Sequence, residues 1–191
     1  MGINVLIDHV KTISSLTDKD VDLLQNCFVN VDFPSKTLIV KVGQVERYLY
    51  FLTKGIVKGY QNFDGKLVIQ HLNAKGEFFT SIDSFMNETP SVEYFESVNT
   101  CSMLKISKPD FELLQAETSF WDEFVNTITN RHIQCKMERT RDFQTLTAKE
   151  RYLKFLEQKP HLVSEVPVEN IASFLGMEPQ SLSRIRKQIT L

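Results

Sequence analysis

Pro167-Val-Glu-Asn-Ile-Ala-Ser-Phe-Leu-Gly-Met-Glu-Pro-Gln-Ser-Leu-Ser-Arg-Ile-Arg-Lys187 reads as two short helices joined by a tight turn. Val168, Ile171, Ala172 and Leu175 recur at the i, i+3, i+4, i+7 spacing that stripes one helix face with apolar groups. Gly176 supplies the chain reversal. Glu178 stands at an N-cap position, and Pro179 suits the first helical position, where a missing N–H costs nothing. On the second helix Leu182, Ile185 and Ile189 are expected to point inward, leaving Gln180, Ser181, Arg184 and Lys187 outside. This spacing suits a helix-turn-helix, whose second helix lies in the major groove of DNA; there Arg pairs with guanine and Gln with adenine. An ordinary helical hairpin with a solvated polar face meets the same spacing, so the surrounding sequence must decide.

The charge distribution favours the first reading. Residues 1–130 carry 11 Lys and Arg against 17 Asp and Glu, whereas residues 131–191 carry 11 against 7. The basic end thus coincides with the helix pair, the sign that phosphate attraction requires. No run of about eighteen apolar residues marks a membrane span, and the start of the chain lacks the basic region and apolar core of a signal peptide, so a cytoplasmic protein is expected. Cys27, Cys101 and Cys135 are isolated, and His9, His71, His132 and His161 are scattered; neither set has metal-ligand spacing, and no cofactor or metal is expected.

Working back from the helix pair, Thr147-Ala-Lys-Glu150 is a capping box that opens a helix burying Tyr152, Phe155 and Leu156. Before it, a helix without Gly or Pro runs from about Thr118 to Phe143. In it Trp121, Val125, Ile128, His132 and Cys135 recur at coiled-coil spacing. That stripe is expected to be a dimer interface; the alternative is an amphipathic helix packed on its own domain, with Phe120 and Phe124 facing the strands. Ser107-Lys-Pro-Asp110 starts a shorter helix.

Between residues 29 and 106 the period changes to short β-branched runs: 37–42, 48–52, 56–60, 67–72, 94–98 and 103–106. Asp64-Gly65 is a hairpin signal between two of them. Sequential strands with tight turns predict an antiparallel sandwich or rolled barrel. Two short helices precede it, the second opened by Thr17-Asp-Lys-Asp20 with Val21, Leu24 and Phe28 on one face.

The order of these parts resembles the Crp/Fnr family of bacterial transcription regulators. The most specific stretches are Lys149-Glu-Arg-Tyr-Leu153 and Ile171-Ala-Ser-Phe-Leu-Gly-Met177 continuing into Leu182-Ser-Arg-Ile-Arg-Lys187, which look like the Bacteroidetes-type members. Leu52-Thr-Lys-Gly55 and Gly76-Glu-Phe-Phe79 resemble turns of the cyclic-nucleotide-binding fold. The resemblance implies an α+β chain: a β-roll sensor at 1–117, a dimerisation helix and hinge at 118–144, and a helix-turn-helix domain at 145–191. It implies a homodimer on a palindromic double-stranded DNA site, with RNA polymerase and a small-molecule effector as candidate partners. The family's base-contacting positions fall on Pro179, Gln180 and Arg184, and Ser181 matches a phosphate contact; Lys187 joins them on charge and facing. A dimeric adaptor that binds a ligand or protein without DNA is the alternative.

The family's ligand positions fall on Phe79, Thr80, Ser81, Ser91 and Val92. Members that bind cyclic AMP hold its ribose with Glu and its phosphate with Arg, and neither residue is present at these positions. No Arg occurs between Arg47 and Arg131 and no Lys between Lys75 and Lys105, while Glu77, Asp83, Glu88, Glu93 and Glu96 crowd the segment. A buried phosphate without a charged partner is costly, so cyclic AMP binding is not expected. A helix start near Ser81 offers partial compensation. The cysteines do not supply an iron–sulfur cluster, haem ligation by His71 or His132 is not expected, and one histidine in the strand region is too few for a cupin metalloenzyme.

Overall fold

The structure, a computed structural model, describes residues 2–189. Two helices open the chain, α1 (Gly2–Lys11) and α2 (Asp18–Cys27). The capping box at α2 is formed: the Thr17 hydroxyl accepts from the Asp20 amide, and the Asp20 carboxylate accepts from the Thr17 amide at 2.9 Å. Phe28, expected on the α2 face, instead begins β1 (Phe28–Phe33) and is buried there. The strands β2 (Leu38–Val40), β3 (Tyr48–Lys54), β4 (Val57–Phe63) and β5 (Lys66–Asn73) follow. Asp64 and Gly65, at φ 50° and 88°, form the two-residue turn between β4 and β5. Positive φ at both central residues fits the right-handed twist of the flanking strands. Then come β6 (Phe78–Phe79), α3 (Ile82–Asn87), β7 (Tyr94–Ser97) and β8 (Cys101–Ser107).

The strands form two four-stranded sheets, β1-β8-β3-β6 and β2-β7-β4-β5, with every named pairing antiparallel. Val40, Leu52, Val57, Phe95 and Met103 fill the space between them. Against the first sheet lie α1, α2, α4 (Lys108–Glu117) and the start of α5 (Phe120–Thr145). The N-cap of α4 is Ser107, as its sequence predicts, with Pro109 in the first turn.

The C-terminal helices are α6 (Ala148–Gln158), α7 (Leu162–Glu165), α8 (Val168–Phe174) and α9 (Pro179–Ile189). The Thr147 hydroxyl and the Glu150 carboxylate complete the capping box of α6, which also holds the Glu150 pKa below the usual carboxylate range. Arg151 ties the unit together: its guanidinium donates to the carbonyls of Leu146 at 2.7 Å, Leu175 at 2.9 Å and Gly176 at 3.3 Å. These bonds satisfy carbonyls at the exits of α5 and α8 that have no partner within the helix. Gly176 sits at φ 64°, and an added Cβ would stand 2.9 Å from the Phe143 ring, so the turn needs glycine twice over.

Tyr152, Phe155, Leu162, Ile171, Ala172, Leu182 and Ile185 are buried in one cluster with Ile56, just before β4, and with Tyr60, Ile69 and Leu72 of the second sheet. The helix pair is therefore docked on β4 and β5. Since β5 is an edge strand, its outward backbone groups need partners. Ser173 on α8 supplies two, accepting from the Ile69 amide and donating to the Leu67 carbonyl, both at 3.0 Å. At the β-bulge where Gly59 and Tyr60 skip Gln70, Arg139 of α5 donates to the Gln70 carbonyl at 2.6 Å. Lys159 bonds the Leu72 carbonyl at 3.1 Å and the Glu77 carboxylate at 2.8 Å.

Candidate functional sites: an outward helix and an aromatic cavity

Two places bring chemistry together. On α9, Leu182 and Ile185 are buried, while Gln180, Ser181, Arg184 and Lys187 are all exposed. Gln180, Arg184 and Lys187 stand at i, i+4 and i+7, one face of the helix. Ile189, expected to point inward, is 37% exposed and extends no core.

The second place is a cavity of about 510 Å³ between the strands, α3, α4 and α5. Phe78, Phe79, Phe85, Phe95, Phe111 and Phe124 give it aromatic walls. From α5, Trp121, Val125, Ile128 and His132 also line it. Trp121 of the expected dimer seam is thereby taken up by the chain's own core. Trp121 has no exposed surface in its own chain and packs on Phe28, Phe111, Phe120 and Phe124. Val125 and Ile128 pack against the same core, and His132 stacks on His71 with ring centroids 5.5 Å apart. The stripe turns inward because burying a large apolar side chain is worth about 1.5–3 kcal/mol and the cavity wall is within reach. Cys135 alone of the five is exposed. The free surface of α5 is a parallel stripe at the same spacing, Asn126, Asn130, Ile133, Met137 and Thr140, with Ile133 49% and Met137 68% exposed.

The five expected pocket residues divide. Phe79 and Thr80 line the cavity, with the Thr80 hydroxyl donating to the Tyr48 carbonyl at 2.8 Å. Ser81 and Ser91 are buried and spent on each other: Ser91 Oγ donates to Ser81 Oγ at 2.9 Å, and the Glu93 amide donates to Ser91 Oγ. Val92 is 67% exposed and does not line the cavity. Beyond Ser81, α3 has only six residues and carries Asp83 in its first turn, which offsets the attraction of that helix start for an anion.

Polar residues at the cavity that were not expected as ligand contacts include His71, Asn73, Glu93 and His132. They come from β5, the edge of β7 and the middle of α5, so no local motif joins them in the chain. His71 Nε2 stands 3.5 Å from the Glu93 carboxylate. Burial, reinforced by His71 and Lys136 and opposed by Glu77 and Glu93, pulls the His132 pKa down to about 4, so its ring is neutral near pH 7. Among the described residues no cluster of His, Cys, Asp and Glu is arranged to hold a metal ion, and no helix is long and apolar enough to cross a membrane.

Residues 30–117 match the family model of the cyclic nucleotide-binding domain. No curated protein matches the chain in sequence. Among solved structures, it is similar to FixK2 from Bradyrhizobium japonicum: 16% identity over 85% of this chain and 84% of that one, TM-score 0.76. It is also similar to the c-di-GMP responsive global regulator CLP of Xanthomonas campestris, at 15% identity, 91% and 92% coverage and TM-score 0.70. A third is the Thermus thermophilus catabolite activator protein, at 17% identity, 92% and 84% coverage and TM-score 0.58. These likenesses establish the fold.

Proposed function

We propose that this chain, which carries a cyclic nucleotide-binding domain within the Crp/Fnr architecture, is a homodimeric DNA-binding transcription regulator that does not take cyclic AMP as its signal. The observation that carries the reading is the outward row of Gln180, Ser181, Arg184 and Lys187 on a helix whose opposite face is buried. Pro179 offers no donor, so base reading rests on Gln180 and Arg184, with Ser181 and Lys187 on phosphates.

In this reading residues 1–117 sense, 118–144 dimerise and 145–191 bind a palindromic site. The dimer forms through the exposed stripe around Ile133 and Met137 rather than through Trp121, which is already committed to the core. Because α5 both lines the cavity and holds β5 through Arg139, a change of cavity occupancy shifts the element on which the reading helices are mounted. Two states differing in the separation of those helices differ in DNA affinity. Cyclic AMP is disfavoured because Ser81 and Ser91 bond each other and, among the described residues, the only Lys or Arg at the cavity is Lys136, against Asp83 and Glu93.

Selection from random duplex DNA with the purified protein tests this. A two-fold symmetric site should emerge. Arg184→Ala should lose about 1–3 kcal/mol on that site and relax its base preference, whereas Lys187→Ala should weaken all sequences alike. Equal binding of the selected site by Arg184→Ala and the parent refutes the recognition-helix assignment, and absence of salt-dependent DNA binding supports the adaptor instead.

A further inference from the structure

We infer that a second groove, formed where α5, β5, α6 and α8 meet, binds a small oxyanion of more than one negative charge: a phosphorylated or polycarboxylic molecule. The groove adjoins the aromatic cavity at His132 and Lys136 and has a volume of about 470 Å³. Six cationic side chains line it, Arg131, Lys136, Arg139, Arg151, Lys154 and Lys159. Against them stand three carboxylates, Glu77, Glu138 and Asp142.

The carboxylates are all taken by two lysines. Lys154 meets Glu138 at 2.6 Å and Asp142 at 2.7 Å, and Lys159 meets Glu77 at 2.8 Å. Arg131, Lys136, Arg139 and Arg151 pair with no carboxylate among the described residues. Arg151 donates to three carbonyls, which take its hydrogens without cancelling its charge. Arg139 gives Nη1 to the Gln70 carbonyl, while its Nε and Nη2 make no bond within the chain and stay open to solvent. Burial holds the Arg139 pKa below the usual guanidinium range, as expected of a cation without a counter-ion. Arg131 and Lys136 are exposed and reach the groove with their donors free.

An oxyanion supplies what these groups lack, since guanidinium forks pair with phosphate and carboxylate through two parallel bonds. The spacing sets the number of charges. Arg131 and Arg139 are eight residues apart on α5, about 12 Å along the axis, so a singly charged ion meets one of them and a larger anion approaches both. The groove is open to such a molecule. Arg131, Cys135, Glu138 and Asp142 recur at i, i+4, i+7 and i+11 and form one face of α5. Ile133 and Met137 lie two residues further on, about 200° round the helix, so a dimer closed on their stripe leaves this face free. The volume falls within the range of about 300–1,000 Å³ typical of small-molecule sites, with Leu72, Phe78 and Phe155 beside the cations to receive an organic body. Because β5 belongs to the strands and α6 and α8 to the C-terminal unit, an anion seated here touches both. The inference goes beyond the regulator reading and does not depend on it.

Calorimetry on the full chain without DNA, at constant ionic strength, compares inorganic pyrophosphate, citrate and acetate. Pyrophosphate or citrate should bind at least tenfold more tightly than acetate. A preference for pyrophosphate identifies the phosphorylated class, a preference for citrate the polycarboxylic one, and either supports the site. The double variant Arg131→Gln/Lys136→Gln should lose at least tenfold in that affinity while its urea midpoint stays that of the parent, because neither side chain bonds anything within the chain. Lys41→Gln/Lys54→Gln removes the same charge from exposed positions outside the groove and should bind as the parent does. Three results each overturn the inference: neither polyanion binds better than acetate, the Arg131/Lys136 variant binds as the parent does, or the Lys41/Lys54 variant loses as much. DNA binding is measured separately, so this inference and the regulator reading fail independently.

Discussion

Arg139→Met offers a direct measure of how the C-terminal helices are held. Arg139 donates to the carbonyl left at the β5 bulge at 2.6 Å, and its guanidinium lies 4.8 Å from the Phe174 ring centroid and 5.7 Å from that of Phe143. Methionine keeps the stem but removes the charge and the donors. A hydrogen bond from a charged group contributes about 1.5–3 kcal/mol, and a partly exposed cation–π contact about 0.5–1. Since Met recovers some packing, unfolding in urea should be weakened by about 2–3 kcal/mol. Arg139→Lys should fall between the two, because an ammonium keeps the charge but not the planar face. A double-mutant cycle with Phe174→Leu isolates the ring contact and should give a coupling of about 0.5–1 kcal/mol. The transition should also broaden or split, as the loosened helices unfold before the strands. An Arg139→Met protein within about 0.5 kcal/mol of the parent, with no coupling to Phe174, would refute the assignment of Arg139 as the link between α5, β5 and α8.

Stability should also respond to pH through His132, whose pKa falls from 6.5 to about 4 in the folded chain. The unfolded chain takes up that proton as pH drops through 6.5, while the folded chain resists until about 4. Stability is therefore lost across this window on acidification and is flat outside it. At 1.36 kcal/mol per unit the ceiling is about 3.4 kcal/mol, and partial solvent access reduces the expectation to about 1–2. Urea midpoints at pH 7 and 4.5 should therefore separate less for His132→Phe than for the parent; equal separation would remove His132 as the cause. His9, also lowered by burial, is common to both proteins and cancels. Met137→Glu places like charges across the proposed two-fold seam at a site 68% exposed in the single chain. It should convert the dimer to monomer in sedimentation with helicity unchanged, and a dimer that survives it would move the seam elsewhere.

Local chemistry made much of this architecture legible from sequence. Thr17 with Asp20, Thr147 with Glu150, Asp64 with Gly65 and Gly176 each act over three residues or fewer, and each forms the feature its sequence predicts. The long helix was harder. Its spacing admits two parallel stripes, and a heptad does not say whether its apolar side meets a second chain or its own strands. Trp121 itself turns inward by size: the largest side chain goes where six rings already wait. Phe28 lies at the helix-to-strand junction, where an apolar residue satisfies either period. The polar edge of the cavity was illegible because Asn73, Glu93 and His132 meet only after the second sheet and α5 have packed together.

The docking of α8 along β5 has a further meaning for handling the protein in parts. Lys66–Asn73 is an edge strand, and Ser173 and Arg139 occupy outward backbone groups at Leu67, Ile69 and Gln70. Truncation before α8 would remove Ser173 and leave the groups at Leu67 and Ile69 open as a template for a strand of another molecule, beside the apolar surface of Ile69 and Leu72 that α8 now helps to cover. A fragment cut at the end of the strands should therefore self-associate into sheets, so the helices proposed to face DNA on one side keep the strands from pairing on the other.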